Sequence, residues 1–248
     1  MGPSQLRYFG QGRGAHRMEG HVAGIYVPSR GSGDWRCLLA DPEKHWRLGY
    51  SAVSLAESWE AAKGLPNEIG QLLSSFGSPS ELLLALPEHK VPLPGSHRGH
   101  SQNDLFALIR VGDQTLAAMV EGKVDESFDK PLGEWLINAS TGKRERLNFI
   151  CDLLGLRQPL PHTIRYQLLH RTVSAIIEAK RFKTDMAAMF VHSFSVKRSW
   201  FADFAEFVSL FGVDAEPDRL VCVRPEHTPP LYLGWATGAR AGVGATGS

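Results

Sequence analysis

The stretch "DLFALIRVGDQTLAAMVEGKV", Asp104 to Val124, holds two apolar runs on either side of one turn signal. Gly112-Asp113 is a natural two-residue hairpin loop, and Gly at its first position suits a type II′ turn. With that loop, Val111 faces Gln114, and the same pairing carries Asp104 to a position opposite Glu121. Directly opposed residues have Cβ atoms about 4.5–5.5 Å apart. Lys123 lies two residues beyond Glu121, so its side chain emerges on the same side of the strand. The turn therefore predicts two carboxylates and one ammonium converging at the open end of a hairpin. Two opposed carboxylates are destabilising unless something positive lies between them.

The rest of the hairpin sets the fold class. Phe106, Leu108, Ala117 and Met119 share the face of Asp104 and Glu121. Leu105, Ala107, Ile109, Leu116, Ala118 and Val120 share the other. Both faces are apolar, so helices are expected on both. Outward from the hairpin, "ELLLAL" (81–86) predicts a buried strand ended by Pro87, and "AGIYVPS" (23–29) a short strand ended by Pro28. Helices are predicted for "DWRCLLADP" (34–42), from Ser51 or Ser54 as cap to Lys63, and from Pro66 to Leu73. Further helices are predicted over 143–154, over 163–180, and over 200–211 with Ser199 as cap. Strands are expected over 186–191, 219–223 and 231–234. This order predicts an α/β fold with a mixed central sheet covered by helices on both faces.

Composition narrows the function classes. The chain has 248 residues, 43% hydrophobic and 21% charged, with net charge +1. That is an ordinary globular balance without a global basic field, so any nucleic-acid contact must come from a local patch. No apolar run approaches the roughly 20 residues that span a bilayer. Cys37, Cys151 and Cys222 form neither a disulfide framework nor a zinc spacing, which suits a reducing cytoplasm. Residues 1–21 and 236–248 are rich in small or polar residues and are expected to be disordered tails around one domain over 22–235. Dinucleotide, P-loop and serine-hydrolase motifs are absent.

Glu-x-Lys by itself says little, and the chain has three such triplets: Glu88-His89-Lys90, Glu121-Gly122-Lys123 and Glu178-Ala179-Lys180. The last falls on a predicted helix, where positions two apart do not share a face. Only the second has an acid registered opposite it. An Asp opening one strand and Glu-x-Lys on its hairpin partner resembles the PD-(D/E)xK nuclease superfamily, with its restriction-endonuclease-like fold. The motifs read "SQNDLF" at 101–106 and "VEGKV" at 120–124, and the likeness runs from Ser51 to Val191, closest to a bacterial branch. Asn103 stands where the superfamily usually has Pro.

The resemblance implies a phosphodiester hydrolase acting on DNA with Mg²⁺ or Mn²⁺. Asp104 and Glu121 would be metal ligands and Lys123 would position the attacking water. An upstream acid would complete the shell, with Glu88, Glu57 and Glu60 as alternatives and Glu88 in first place. On the long helix, Gln167, His170 and Arg171 are candidates for a further site residue, with Gln167 in first place. A hard divalent ion suits carboxylate oxygens, and it can polarise a phosphodiester while lowering the pKa of a bound water. The alternative is a non-catalytic module on the same fold, binding nucleic acid or protein. A third reading treats the charges as a structural cluster.

Other features have simpler explanations. His97 and His100 in "GSHRGH" lack partner ligands for zinc, though Arg98 beside them could touch a phosphate backbone. The basic ends "GKRERL" (142–147) and "KRFK" (180–183) suit helix termini. His192 reads as a packed histidine. Trp200, Phe201, Phe204 and Phe207 fall at helical spacing and read as core. Monomer and homodimer both remain open.

Overall fold

The computed structural model describes residues 29–95 and 99–240. All of the predicted strand at 23–29 but Ser29, together with His97, Arg98 and residues 1–21 and 241–248 of the predicted tails, lies outside them, while Ala236 and Thr237 of the predicted C-terminal tail belong to a strand. Six strands form one mixed sheet in the order β1-β2-β3-β4-β6-β5. They are β1 (Ser80–Pro92), β2 (His100–Val111), β3 (Gln114–Lys123), β4 (Met186–Ser193), β5 (Leu220–Val223) and β6 (Leu231–Thr237). β1, β2 and β3 run as an antiparallel meander, and β4 joins β3 in parallel. β6 is parallel to β4, and β5 pairs antiparallel with β6 at the far edge. The helices are α1 (Pro42–His45), α2 (Ser51–Ala62), α3 (Asn67–Leu73), α4 (Leu132–Trp135), α5 (Thr141–Leu154), α6 (Tyr166–Phe182) and α7 (Phe201–Ser209).

The sheet divides the core in two. On one side, Phe106, Ala117 and Met119 pack with residues of α5, α6 and α7. On the other, Leu105, Ala107, Ile109, Leu116, Ala118 and Val120 pack with Leu55, Trp59 and Leu72 of α2 and α3. Both faces of the hairpin are thus covered, as its unbroken apolar runs require. The parallel step from β3 to β4 needs a long crossover, supplied by α4, α5 and α6. Among the described residues no helix is long and apolar enough to cross a membrane. Cys37, Cys151 and Cys222 are free thiols.

The turn behaves as its sequence predicts. Val111 pairs with Gln114 and Leu105 with Val120. Gly112 has φ +58°, while Asp113 is not in the positive-φ region. That combination is the type II′ signature.

Several local expectations give way to tertiary context. β1 does not stop at Pro87 but continues to Pro92. It pairs only with β2, so it is an edge strand, where a proline's missing N–H costs no ladder bond. Residues 32–38 form a 3-10 helix rather than an α-helix, with α1 after it. Neither Ser51 nor Ser54 caps α2: Tyr50 holds the cap position without a side-chain bond, and the Ser51 N–H donates to Glu126 Oε1 at 2.8 Å. Ser199 does not cap α7, where Trp200 holds the cap position in a left-handed conformation. α6 begins three residues later than predicted, because the Tyr166 N–H donates to the Lys130 carbonyl and ties the approach to another segment. α5 ends as expected at Gly155, φ +67°.

Gly122, at the centre of Glu-Gly-Lys, fixes how closely α2 approaches β3. A Cβ there would meet the Cβ atoms of Leu55 and Ser51 at 3.4 Å, so anything larger than a methyl has no room. Gly122→Leu is expected to destabilise the protein by about 1–3 kcal/mol through overpacking. Denaturant titration checks this, and an unchanged midpoint would show that α2 does not rest on this point of the sheet.

Candidate active site

Three acids stand in one row across the meander. The β1–β2 ladder pairs Pro87 with Leu105 and His89 with Asn103, which leaves Glu88 opposite Asp104 between them. The β2–β3 register extends past Leu105–Val120 to set Asp104 opposite Glu121. Neither the Glu88–Asp104 nor the Asp104–Glu121 position makes a ladder pair. Glu88 sits at φ +53°, an uncommon conformation for a residue with a side chain. The alternation of both strands shifts by one residue at this row. Before it, Leu84 and Leu86 lean toward α6; after it, Val91 and Leu93 do so. On β2, Phe106 packs on that side, and across the break Ser101 reaches His170 of α6 at 2.8 Å. The strands are thus interrupted where the carboxylates gather.

Asp104 Oδ2 accepts the Gly122 N–H at 2.9 Å, a side-chain bond in place of the missing ladder bond. Glu121 is buried and takes three donors. Lys123 Nζ and Gln167 Nε2 donate to its Oε1 at 2.8 and 2.7 Å, and Arg171 Nε donates to its Oε2 at 2.6 Å. Arg171 Nη2 also lies 3.5 Å from Asp104 Oδ1, a weak contact. Gln167 and Arg171 are one turn apart on α6 and so share a face. The Asp129 N–H donates to Gln167 Oε1 at 3.2 Å, which fixes the amide with its NH₂ toward Glu121. Lys123 is buried beside Glu121, with its ammonium 4.9 Å from the centre of the Phe128 ring. Gln102 Nε2 donates to Glu88 Oε2 at 2.5 Å.

These groups line one cleft of about 670 Å³ at the end of the sheet. Its floor holds Glu88, Asp104, Glu121, Lys123, Gln167 and Arg171. Its rim includes exposed Lys44, His45 and Arg47, from α1 and the segment after it. Glu126 and Asp129 line the cleft as well, so its rim carries charges of both signs above the acidic floor.

The three acids differ in their electrostatics. For Glu121, burial works against the charge, but Arg171 and Lys123 outweigh it and hold the carboxyl below its ordinary range. Burial, then the neighbouring Glu121, pushes Asp104 up to about 8. Burial also pushes Glu88 up to about 7, against the bond from Gln102. The row therefore has more negative charge than Lys123 and Arg171 neutralise, and its surplus lies on Asp104 and Glu88.

The donor set suits a hard divalent cation. Glu88 and Asp104 keep carboxylate lone pairs that no protein donor uses among the described residues, and oxygen is the ligand atom Mg²⁺ and Mn²⁺ take. Among the described residues no group of three or more His, Cys, Asp and Glu side chains is already arranged as a metal shell. Arg171 stands in the gap between Asp104 and Glu121.

Of the residues singled out in the sequence, Asp104, Glu121, Lys123, Glu88 and Gln167 are brought together. Two alternatives for the upstream acid are not. Glu60 is turned to Ser29 and the Trp35 indole, which donates to its Oε1 at 2.7 Å. Glu57 lines a separate pocket between α2 and α3. His170 is half-buried against Ser101, out of the cleft, and desolvation holds its pKa well below the ordinary range. His192 is fully buried inside β4, and burial holds it down to about 3. Gly122 serves helix packing and the bond to Asp104.

Residues 28–240, which include the whole cleft, match the family described as a domain of unknown function, DUF6946. The chain belongs to this family. No curated protein and no solved structure matches it. The acid row of this DUF6946 domain is therefore read from its own geometry.

The raised pKa values have a consequence for stability. An acid whose pKa is higher in the folded protein than in the unfolded chain binds its proton more tightly when folded. Its contribution is full below the ordinary carboxylate range and is lost as pH rises through the folded value. Metal-free protein is expected to lose stability progressively from about pH 4 to about pH 8, between the ordinary carboxylate range and the folded values of Glu88 and Asp104, and to change little above that. Asp104→Asn, which can still accept the Gly122 N–H, should flatten that slope and stabilise the protein at the alkaline end by about 1–3 kcal/mol. Thermal melts across the pH range test this, and an equal slope in the variant would contradict the assignment of surplus charge to Asp104.

Proposed function

We propose that the chain is a Mg²⁺- or Mn²⁺-dependent nuclease of the restriction-endonuclease-like fold, hydrolysing phosphodiester bonds in DNA. The observation that carries this reading is the registered row Glu88–Asp104–Glu121 with Lys123 beside it, at the open end of a buried mixed sheet. Exposed Lys44 and Arg47, which line the cleft alongside Glu126 and Asp129, are the cations there that would contact a phosphate backbone. Asp104 and Glu121 would hold the metal, with Glu88 as the third acid. When bound, the ion would polarise a phosphodiester oxygen and acidify a coordinated water.

The chain's own residues supply the rest. Gln167 and Lys123 hold Glu121 in one orientation, so that ligand enters the reaction without reorganisation. The Lys123 ammonium is fixed between Glu121 and the Phe128 ring. From there it orients the attacking water and stabilises charge that develops on the phosphoryl oxygens. A water oxygen forms the new bond to phosphorus and gives up a proton to solvent, the bond to the leaving oxygen breaks, and that oxygen takes a proton from solvent.

A second reading, a non-catalytic module that binds nucleic acid or protein on the same fold, is favoured by one observation: Glu121 already has three protein donors. The two are separated by incubating labelled DNA and RNA with Mg²⁺ or Mn²⁺. The nuclease reading expects metal-dependent cleavage that falls by roughly 10²-fold or more in Lys123→Ala and in Asp104→Ala. Cleavage that survives both substitutions would sink it. Binding of the same substrates without cleavage in either metal would favour the module.

A further inference from the structure

We infer that Arg171 is a tethered counter-cation that holds the place of the divalent ion between Asp104 and Glu121, and that metal entry moves it onto the phosphate of the bound substrate. The inference rests on the reading of the cleft as a cation site and goes one step beyond it, to what controls occupancy.

Three features of the side chain support it. First, its position: the guanidinium reaches both carboxylates that face each other across β2 and β3, at 2.6 Å to Glu121 and 3.5 Å to Asp104. Both acids are in direct reach of one positive group, which is the requirement of two opposed carboxylates. Second, its asymmetry: the Glu121 bond is short and charge-assisted, whereas the Asp104 contact is at the limit of a hydrogen bond. The Asp104 side is the one that opens at little cost. Third, its unused capacity: a guanidinium has five N–H donors. Among the described residues only Glu121 and Asp104 take hydrogen bonds from Arg171, and the side chain lines the cleft. The unused donors are available to an oxyanion, which a guanidinium matches in a planar, bidentate fashion.

Charge supports the same cycle. Glu88, Asp104 and Glu121 carry three negative charges when ionised, against one each on Lys123 and Arg171. One negative charge is left over. A divalent ion added beside both cations leaves one positive charge instead, and a single phosphodiester cancels it. Arg171 is therefore best placed on the metal ligands when the cleft is empty and on the substrate phosphate when metal and substrate are both bound. As a consequence, metal alone enters against the repulsion of Arg171, and metal affinity rises when a polyanion draws the arginine away.

Calorimetric titration of the full-length protein with Mn²⁺, without nucleic acid, tests the inference. Arg171→Gln is expected to bind Mn²⁺ at least tenfold more tightly than the wild type, and Asp104→Asn to abolish binding in either background. Circular dichroism reports whether Arg171→Gln is folded. If it is not, Arg171→Met decides, since it removes the charge but keeps an unbranched side chain that can pack at the same place, and it should also tighten Mn²⁺ binding. Equal or weaker binding in the folded variant would overturn the inference and leave the metal site standing, with Arg171 as its support. No Mn²⁺ binding in wild type or variant would overturn both.

Discussion

The Gly112–Asp113 turn fixes Val111 opposite Gln114, and the consequences run the length of the hairpin. A turn longer by one residue would shift every cross-strand partner and would take Asp104 out of line with Glu121. The same register assigns the apolar residues of β2 and β3 to their two faces. It thereby decides which side receives α2 and α3 and which receives α5, α6 and α7. At the open end, the two carboxylates that the turn opposes need a shared cation, and the nearest helix supplies one in Arg171. Sheet, helix placement and charged cleft thus follow from one two-residue loop.

Opposed acids within a sheet are a cost that the local structure manages in three ways. The ladder is left open at that row, with a Gly122 N–H given to Asp104 instead of to a carbonyl. Glu121 is held ionised by Lys123, Gln167 and Arg171. Asp104 and Glu88 are left short of positive charge, so burial raises their proton affinity. A fold under selection for stability alone has simpler options, since apolar residues of similar size in a buried ion-pair network are often neutral or stabilising. The proposed cation site would account for three acids kept at the floor of an open cleft.

Much of this was legible in the sequence, for identifiable reasons. The hairpin register followed from a two-residue glycine turn, and the double helical cover followed from strands apolar on both faces. Asp104, Glu121 and Lys123 could be placed together by counting residues. Glu88 was harder. Pro87 reads as a strand terminator, and only the position of β1 at the sheet edge lets the strand run through it. The break in alternation at Glu88 and Asp104 has no local signature, because it arises from two strands shifting together. Gln167, put first, and His170 and Arg171 all share one face of α6 by their spacing, so the sequence alone could not show which of them enter the cleft. Packing separated them, turning the first and third into the cleft and His170 onto Ser101. Glu60 could not be set aside without knowing that the Trp35 indole and the Ser29 hydroxyl bind it.

The central claim is that a divalent cation belongs between the carboxylates now bridged by Arg171. A crystal grown with Mn²⁺ and a short DNA oligonucleotide, measured for anomalous scattering, addresses it most directly. The account predicts an anomalous peak within roughly 2.0–2.3 Å of carboxylate oxygens of both Asp104 and Glu121, with the Arg171 guanidinium moved away from Asp104. A cleft with no anomalous peak and Arg171 still in contact with both acids would contradict it.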